Sequence, residues 1–231
     1  MRTIGLIGGM SWESSAEYYR IINQNVRDQL GPLRSAQLLM YSVDFGPVEQ
    51  AQHAGRWDDA ALILEDAARR LQAGGAECIV LCTNTMHLVA PQIEAAVSIP
   101  FLHIADAAGA AAVEAGTLSV GLLGTAFTME QEFLKSRLAA QGLTVLVPDA
   151  EERQAVHRII YEELCVGMIS DASREVYQRV IESLAARGAQ AIILGCTEIS
   201  LLIKPQHSNL PLLDTTELHA QAAVAFALQD D

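Results

Sequence analysis

The sequence predicts an α/β fold of two similar parallel-sheet, Rossmann-like lobes that arose by internal duplication. The main observation is a stretch that occurs twice, at residues 75–85 and again at residues 188–198. In each copy an apolar run of strand length, bounded by glycine, precedes small polar residues. The offset is constant, because 188 − 75 and 196 − 83 both equal 113, so Thr83 takes the place that Cys196 holds in the second copy.

Two further echoes follow in the same order along the chain. Residues 119–125 resemble residues 3–9 at an offset of 116, and residues 210–213 resemble residues 99–102 at an offset of 111. Echoes in one order indicate a duplication, whereas a solenoid would need more repeats. Alternating strands and helices in both copies predict a parallel sheet in each lobe.

The third echo predicts where the lobes divide. We expect the first lobe to comprise residues 1–98 and 209–231, and the second lobe to comprise residues 99–208. Pro100 stands just before the crossover into the second copy. Its counterpart, the segment of residues 211–214, is therefore expected to return a strand to the first lobe.

The composition is that of a globular, acidic protein. Of its 231 residues, 51% are hydrophobic and 19% are charged, which is enough to bury a sizeable core. The formal net charge of −13 opposes a polyanionic partner such as DNA or RNA. No apolar run approaches the length of a membrane span, and no secretory signal opens the sequence. We therefore expect a cytoplasmic protein with neither a nucleic-acid nor a membrane partner.

The four cysteines, Cys78, Cys82, Cys165 and Cys196, are expected to be free thiols. Their spacing is not that of a disulfide framework, and no second pair matches Cys78 and Cys82, so no metal site is predicted. These two are expected to be buried as small hydrophobic residues. Cys196 follows a strand inside a repeated loop and is expected to be functional.

Strand and helix signals alternate through the first copy. Residues 3–7 predict a strand, and Ser14 with Glu17 predicts a capping box at the start of the next helix. Alternation over residues 37–43 predicts a second strand, and residues 57–72 carry apolar residues at helical spacing.

The central strand of each copy ends in polar residues. In open α/β sheets ligands bind at the carboxyl ends of the strands, and a helix N-terminus there offers free N–H groups to a carboxylate or phosphate. After the first central strand a short helix is predicted at residues 85–89, ended by Pro91, and residues 99–104 predict the next strand.

Three motifs, Gly8-Gly9-Met10, Asn84-Thr85 and Gly195-Cys196-Thr197-Glu198, resemble those of the cofactor-independent aspartate/glutamate racemases. The likeness extends over essentially the whole chain, duplication included. It implies a small-molecule amino-acid substrate bound in the cleft between the lobes, no cofactor, and a homodimer. In that family two cysteines flank the α-carbon of the substrate. One removes the α-proton and the other returns a proton to the opposite face.

The sequence departs from the family at the first base, because Thr83 precedes Asn84 where the family has a cysteine. Cys82 does not replace it, since the duplication pairs Cys82 with Gly195 and successive strand residues face opposite sides. A hydroxyl can donate or relay a proton but is a poor base. The resemblance therefore implies that Cys196 deprotonates the L-substrate and that Thr83 helps to return a proton on the other face.

A second departure concerns the side-chain carboxylate of the substrate. Many aspartate racemases hold it with an Arg in the first lobe and a Lys in the second, and by motif position Gln52 and Cys165 stand there. The loss of this cationic clamp favours a looser or different amino acid. Glutamine, backbone N–H groups or Arg56 could still hold a carboxylate.

The predicted substrate-binding residues are Met10, Gln52, Asn84, Thr85, Cys165, Thr197 and Glu198. Asn84, Thr85 and Thr197 are placed to stabilise the charge that develops on the α-carboxylate. Glu198 either caps a helix or tunes the thiol beside it, and a mixture of the two roles is favoured. His87 is either an acid/base partner or a satisfied helix histidine, and Met10 either lines a pocket or packs in the core.

Other functions stay open at this point. Pyridoxal chemistry is not expected, because Lys135 and Lys204 are the only lysines and both lie outside the repeated loops. Alternatives within the superfamily are a broader-specificity racemase, a malonate decarboxylase and a maleate cis–trans isomerase. A different class is a non-catalytic amino-acid sensor that lost turnover when a cysteine became Thr83.

Overall fold

The chain forms two four-stranded parallel sheets in the computed structural model, which describes residues 1–229. The strands of the first sheet are β1 (Ile4–Gly8), β2 (Leu38–Ser42), β3 (Cys78–Leu81) and β4 (Phe101–Leu102). Those of the second are β5 (Ser119–Gly124), β6 (Thr144–Leu146), β7 (Ala191–Gly195) and β8 (Leu212–Asp214). The strand orders are β2-β1-β3-β4 and β6-β5-β7-β8. This repeated order confirms the predicted duplicated α/β fold.

Helices connect the strands of both sheets. They are α1 (Trp12–Leu30), α2 (Phe45–His53), α3 (Trp57–Ala73), α4 (Ala90–Ala96), α5 (Ile104–Glu114), α6 (Ala126–Glu130), α7 (Glu132–Ala140), α8 (Ala150–Glu162), α9 (Asp171–Ala186), α10 (Ile199–Leu202) and α11 (Thr215–Leu228). Short 3₁₀ turns occur at Thr85–Val89, Leu164–Val166 and Pro205–His207. No helix within residues 1–229 is both long and apolar enough to cross a membrane.

The described chain divides into two compact units. The first unit is Met1–Ile104 together with the chain from His219 onward, and the second is Ala105–Leu218. The predicted borders, 98/99 and 208/209, therefore lie too early by 104 − 98, or 6, residues and by 218 − 208, or 10, residues. Asp230 and Asp231, which the prediction assigned to the first lobe, lie outside the described residues.

Strand pairing explains both border errors. Phe101 pairs with Ile79, so β4 completes the first sheet before the chain leaves it. Leu212 pairs with Ile192, so β8 is the edge strand of the second sheet. The prediction that residues 211–214 return a strand to the first lobe is wrong, because β8, which this segment forms, pairs with β7 of the second sheet.

The first sheet is covered on both faces, and β3 alternates between them. Ile79 and Leu81 pack into the cluster formed with α2 and α3. Cys78, Val80 and Cys82 pack into the opposite cluster, formed with α1 and α11. Burial of both cysteines confirms the prediction that they act as small hydrophobic core residues.

Several helix boundaries in the first unit differ from those that the sequence predicts. The N-cap of α1 is Ser11, whose side chain accepts from the backbone N–H of Ser14, so the predicted capping box at Ser14 is wrong. The short helix predicted at residues 85–89 is present as a 3₁₀ turn, but Pro91 stands in the first turn of the following helix α4, because a residue at that position needs no N–H partner. Helix α2 was not predicted, because Gly46 and Pro47 read as breakers although both lie in its first turn.

Candidate functional site

Each sheet has a topological switch point between its two central strands. In the first sheet β1 lies between β2 and β3, so the connections that follow β1 and β3 leave on opposite sides. Ligands of open α/β sheets bind outside the carboxyl ends of strands at such a point. Met10 follows β1 there, and Thr83, Asn84 and Thr85 follow β3. In the second sheet Cys196 and its neighbours follow β7 at the equivalent point.

Cys196 is held in a hydrogen bond with a carboxylate two residues away. Its side chain is half-buried and packs against the core cluster of the second unit. Its Sγ donates to Oε2 of Glu198 at 3.0 Å. Of the two roles predicted for Glu198, its side chain takes the one beside the thiol, since it makes no capping bond to α10.

The surroundings of Cys196 favour the thiol over the thiolate. Burial raises its pKa well above the ordinary value, and the negative charge and hydrogen bond of Glu198 raise it further, with a smaller contribution from Cys165. A backbone hydrogen bond at Glu198 acts in the opposite sense. The thiol must therefore lose its proton to a neighbouring acceptor before it can act as a base, and Glu198 is in position to accept it.

Thr83 stands in the first copy where Cys196 stands in the second. Its side chain is half-buried, its backbone N–H donates to the carbonyl of Leu81 at 2.9 Å, and its own carbonyl contacts Nδ1 of His87 at 2.7 Å. Cys82, directly before it, is fully buried, and desolvation raises the pKa of its thiol. Cys82 therefore packs as a core residue, as the alternation of side chains along the strand predicts.

His87 is a satisfied histidine, which decides between the two roles predicted for it. The side chain is 1% exposed, and its Nε2 lies 3.2 Å from the backbone N–H of Ile104. With Nδ1 bound to the carbonyl of Thr83, both ring nitrogens are engaged in the first unit. An imidazole held in this way orients the chain around it and has no free nitrogen for proton transfer.

The other candidates divide between the turns and the core. Asn84 is buried and Thr85 half-buried at the start of the 3₁₀ turn that follows β3. Thr197 lies beside Cys196 with its Oγ1 3.4 Å from Oγ1 of Thr216. Met10 is 5% exposed and belongs to the core cluster of α2 and α3, so it packs in the core.

The positions of the expected cationic clamp are occupied by neutral residues. Gln52 is buried in α2, and its Nε2 donates to Sδ of Met86 at 2.7 Å. Cys165 is exposed in the 3₁₀ turn Leu164–Val166. Arg56, which was considered as a substitute, is exposed and bound to Asp59 at 3.0 Å.

Two carboxylates of the second unit lie within two residues of Cys165 and Cys196 along the chain. Besides Glu198, the side chain of Glu163 accepts hydrogen bonds from Ser170 and Ser173 close to the Cys165 turn. Residues 1–229 contain no group of three or more His, Cys, Asp or Glu side chains that could hold a metal ion. This arrangement provides a thiol with a proton acceptor and offers no positive charge from the two clamp positions.

Sequence reasoning missed Tyr177 of α9. This side chain is buried, and its hydroxyl donates to the carbonyl of Val156 at 3.4 Å. Burial is the main cause that raises the pKa of its hydroxyl, and Cys196, Cys165 and Glu163 raise it further when they are ionised. The only signal in the sequence is the helical spacing of apolar residues in α9, which predicts core packing and not a neighbour of the thiol.

Comparisons with known proteins show which family and fold the chain resembles. The model of the family described as Asp/Glu/hydantoin racemase matches residues 7–223. A protein from Yersinia pestis proposed to be an Asp/Glu racemase is 55% identical, with a TM-score of 0.95 over 99% of this chain and 100% of that chain. An aspartate racemase homologue from Pyrococcus horikoshii is 33% identical, with a TM-score of 0.89 over 99% and 100%. The broad-specificity amino-acid racemase RacX of Bacillus subtilis is 23% identical over 227 residues, 96% of each chain.

Proposed function

The chain belongs to the Asp/Glu/hydantoin racemase family and is an isomerase, and from this we propose that it racemises aspartate and glutamate without a cofactor, with a preference for the L-enantiomers. The observation that carries the proposal is the 3.0 Å contact between the Cys196 thiol and the Glu198 carboxylate at the end of β7. A neutral thiol is a weak base, but a thiol that gives its proton to an adjacent acceptor becomes a thiolate, which is a stronger base.

The first half of the reaction is α-proton removal by Cys196. Glu198 accepts the thiol proton, and the thiolate that forms takes the α-proton of the L-amino acid. The electron pair of the broken C–H bond passes into the α-carboxylate, where negative charge develops. Asn84, Thr85 and Thr197 are the polar groups proposed to stabilise that charge by hydrogen bonding.

The second half is the return of a proton to the opposite face. The hydroxyl of Thr83 donates this proton and is reprotonated from water, so Thr83 acts as a relay. Because a hydroxyl is a far poorer base than a thiolate, Thr83 exchanges the α-proton of a D-amino acid slowly, whereas Cys196 exchanges that of an L-amino acid faster. The preference is one of α-proton exchange, since the two enantiomers are equal in free energy and inversion is equally efficient in both directions. The unlike groups at the two equivalent positions thus account for the proposed L-preference.

A second candidate, broader side-chain specificity, is supported by the neutral clamp positions. Gln52 and Cys165 carry no positive charge, and Glu163 and Glu198 would repel an acidic side chain. On this alternative the enzyme racemises neutral amino acids at least as well as acidic ones. The relative from Bacillus subtilis is described as having broad specificity.

A substrate panel separates the two candidates. Purified protein would be incubated with L-aspartate, L-glutamate, L-glutamine, L-methionine and L-lysine, and the D-product measured by chiral chromatography. The first proposal expects D-aspartate and D-glutamate to form fastest. Faster inversion of a neutral amino acid would favour the broader specificity, and no inversion of any of the five would contradict both.

A further inference from the structure

A buried imidazole joins the turn that carries Thr83 to the start of α5. Nδ1 of His87 lies 2.7 Å from the carbonyl oxygen of Thr83, and Nε2 lies 3.2 Å from the backbone nitrogen of Ile104. Both contacts lie within the first unit, and His87 is 1% exposed. The ring therefore connects the end of β3 with the chain that leaves β4.

The two backbone partners fix the proton on one ring nitrogen. A carbonyl oxygen can only accept, so Nδ1 of His87 must carry the proton that it donates to Thr83. A backbone N–H can only donate, so Nε2 must be unprotonated to accept from Ile104. The imidazole is consequently neutral in this arrangement, and a second proton would set two donors against each other.

Neighbouring rings keep this imidazole from swinging away. The ring centroids of Phe101, His103 and His219 lie 5.5, 4.5 and 5.7 Å from that of His87. His219 is itself held, since its Nδ1 lies 2.9 Å from the Tyr18 hydroxyl and its Nε2 donates to the carbonyl of Leu102 at 2.7 Å. A packed aromatic group of this kind leaves His87 one orientation, with its Nδ1 directed at Thr83.

We infer that His87 is a positioning residue that fixes the Thr83 turn for proton return. The inference rests on the proposed function, because it takes Thr83 to be the group that donates on the second face. The contact is to the backbone of Thr83, so it leaves the hydroxyl free to react while holding the residue that bears it. Displacement of a reacting group by about an ångström can cost 100-fold in rate. Loss of the His87 bond should therefore slow inversion and spare proton removal by Cys196.

Two isosteric variants separate the two bonds of the ring. In His87→Asn the side-chain amide NH₂ can replace Nδ1 as the donor to Thr83, whereas in His87→Gln the side-chain carbonyl can replace Nε2 as the acceptor from Ile104. Both remove an aromatic ring from the same buried group, so they share the packing loss. Thermal unfolding of both variants checks that each is folded at the assay temperature.

The kinetic test compares inversion with elimination. An L-configured 3-chloroglutamate loses its α-proton to Cys196 and then expels chloride as the C=C bond forms, so elimination needs no proton return. We expect the ratio of L-glutamate inversion to chloride release to fall by about 10-fold to 100-fold in His87→Gln and to recover most of its value in His87→Asn. Equal ratios in His87→Gln and the wild-type protein, or no recovery in His87→Asn, would overturn the inference.

A spectroscopic arm keeps the inference separate from the proposed function. In protein with ¹⁵N-labelled histidine, the resonances that disappear in His87→Asn identify His87 among the six histidines. A protonated Nδ1 and an unprotonated Nε2 support the positioning bond, and the opposite tautomer overturns it, whether or not the protein turns over. Failure of the wild-type protein to invert L-glutamate or release chloride would instead count against the proposed function.

Discussion

Sγ of Cys196 and Oε2 of Glu198 lie 3.0 Å apart, in a hydrogen bond that the thiol donates. The pair lies in the three-residue connection between β7 and α10. The carboxylate has two opposing effects on the thiol: it raises the pKa of Cys196, and it can accept the proton that Cys196 must lose. Catalysis by Cys196 requires that proton transfer to Glu198 outweigh the rise in the pKa of the thiol.

Glu198→Gln should separate these two effects. Removal of the negative charge and of the acceptor should lower the pKa of Cys196, because both raise it in the wild-type protein. Turnover of L-substrate should nevertheless fall by roughly 100-fold, since no group remains to take the thiol proton. The pH midpoint of alkylation by iodoacetamide reports the pKa of Cys196. Both proteins should carry Cys165→Ala in this assay, because the exposed Cys165 thiol would otherwise be alkylated as well. An unchanged turnover rate in Glu198→Gln would contradict the proton-acceptor role.

Thr83→Cys should make the two faces of the reaction more alike. A thiol at this position can reach the thiolate form that a hydroxyl cannot, so removal of the α-proton from D-substrate should become faster by about 10-fold or more. The measurement is the rate of α-proton exchange in D₂O for D-glutamate divided by the rate for L-glutamate. Thr83→Ser is the matched control, because it keeps the hydroxyl and should keep the wild-type ratio. A D-side rate that rises equally in both variants would argue against this explanation of the L-preference.

Cys78 should make stability fall at alkaline pH. The pKa of this thiol is raised from 9.0 to about 12, and burial is the largest cause of the rise. Below pH 9 the thiol is protonated in the folded and unfolded states, so its full contribution is present. Between pH 9 and about 12 only the unfolded state ionises, and about 1.4 kcal/mol of unfolding free energy is lost per pH unit.

Urea unfolding of the wild-type protein and Cys78→Ala between pH 7 and 11 measures this loss. Their difference in unfolding free energy should be constant up to about pH 9 and then shrink. Ile79→Val, a buried change in the same strand without an ionisable group, should differ from wild type by a constant amount. A Cys78→Ala difference that stays constant up to pH 11 would show that burial does not perturb the thiol.

The sheets could be predicted from the sequence because the duplication marks equivalent strands by their apolar runs and by the constant offset between Thr83 and Cys196. The unit borders could not, because β4 and β8 are only two and three residues long. Strands of that length carry no periodic signal, and their sheet is decided by the partner that accepts their backbone hydrogen bonds. The homodimer stays a prediction from the resemblance alone.

The positions of Thr83 and Cys196 after β3 and β7 could also be predicted, whereas their surroundings could not. Thr83 and Cys196 are marked by their place after the repeated strands. Burial of Cys196 and the approach of Glu198 raise the pKa of the thiol, and the sequence did not indicate the direction of this shift. The fixed tautomer of His87 depends on Ile104, seventeen residues away, and spacing along the chain cannot reveal such a contact.

The most direct test of the central claim is α-proton exchange in D₂O, followed by ¹H NMR separately on the L- and D-forms of aspartate and glutamate. If Cys196 is the base for the L-substrate, the α-proton signal should disappear from the L-forms and much more slowly from the D-forms. It should not disappear in Cys196→Ala. Cys82→Ala, which alters a buried core thiol, should exchange as the wild-type protein does. Exchange at equal rates from both enantiomers, or exchange that persists in Cys196→Ala, would contradict the claim that Cys196 is the base for the L-substrate.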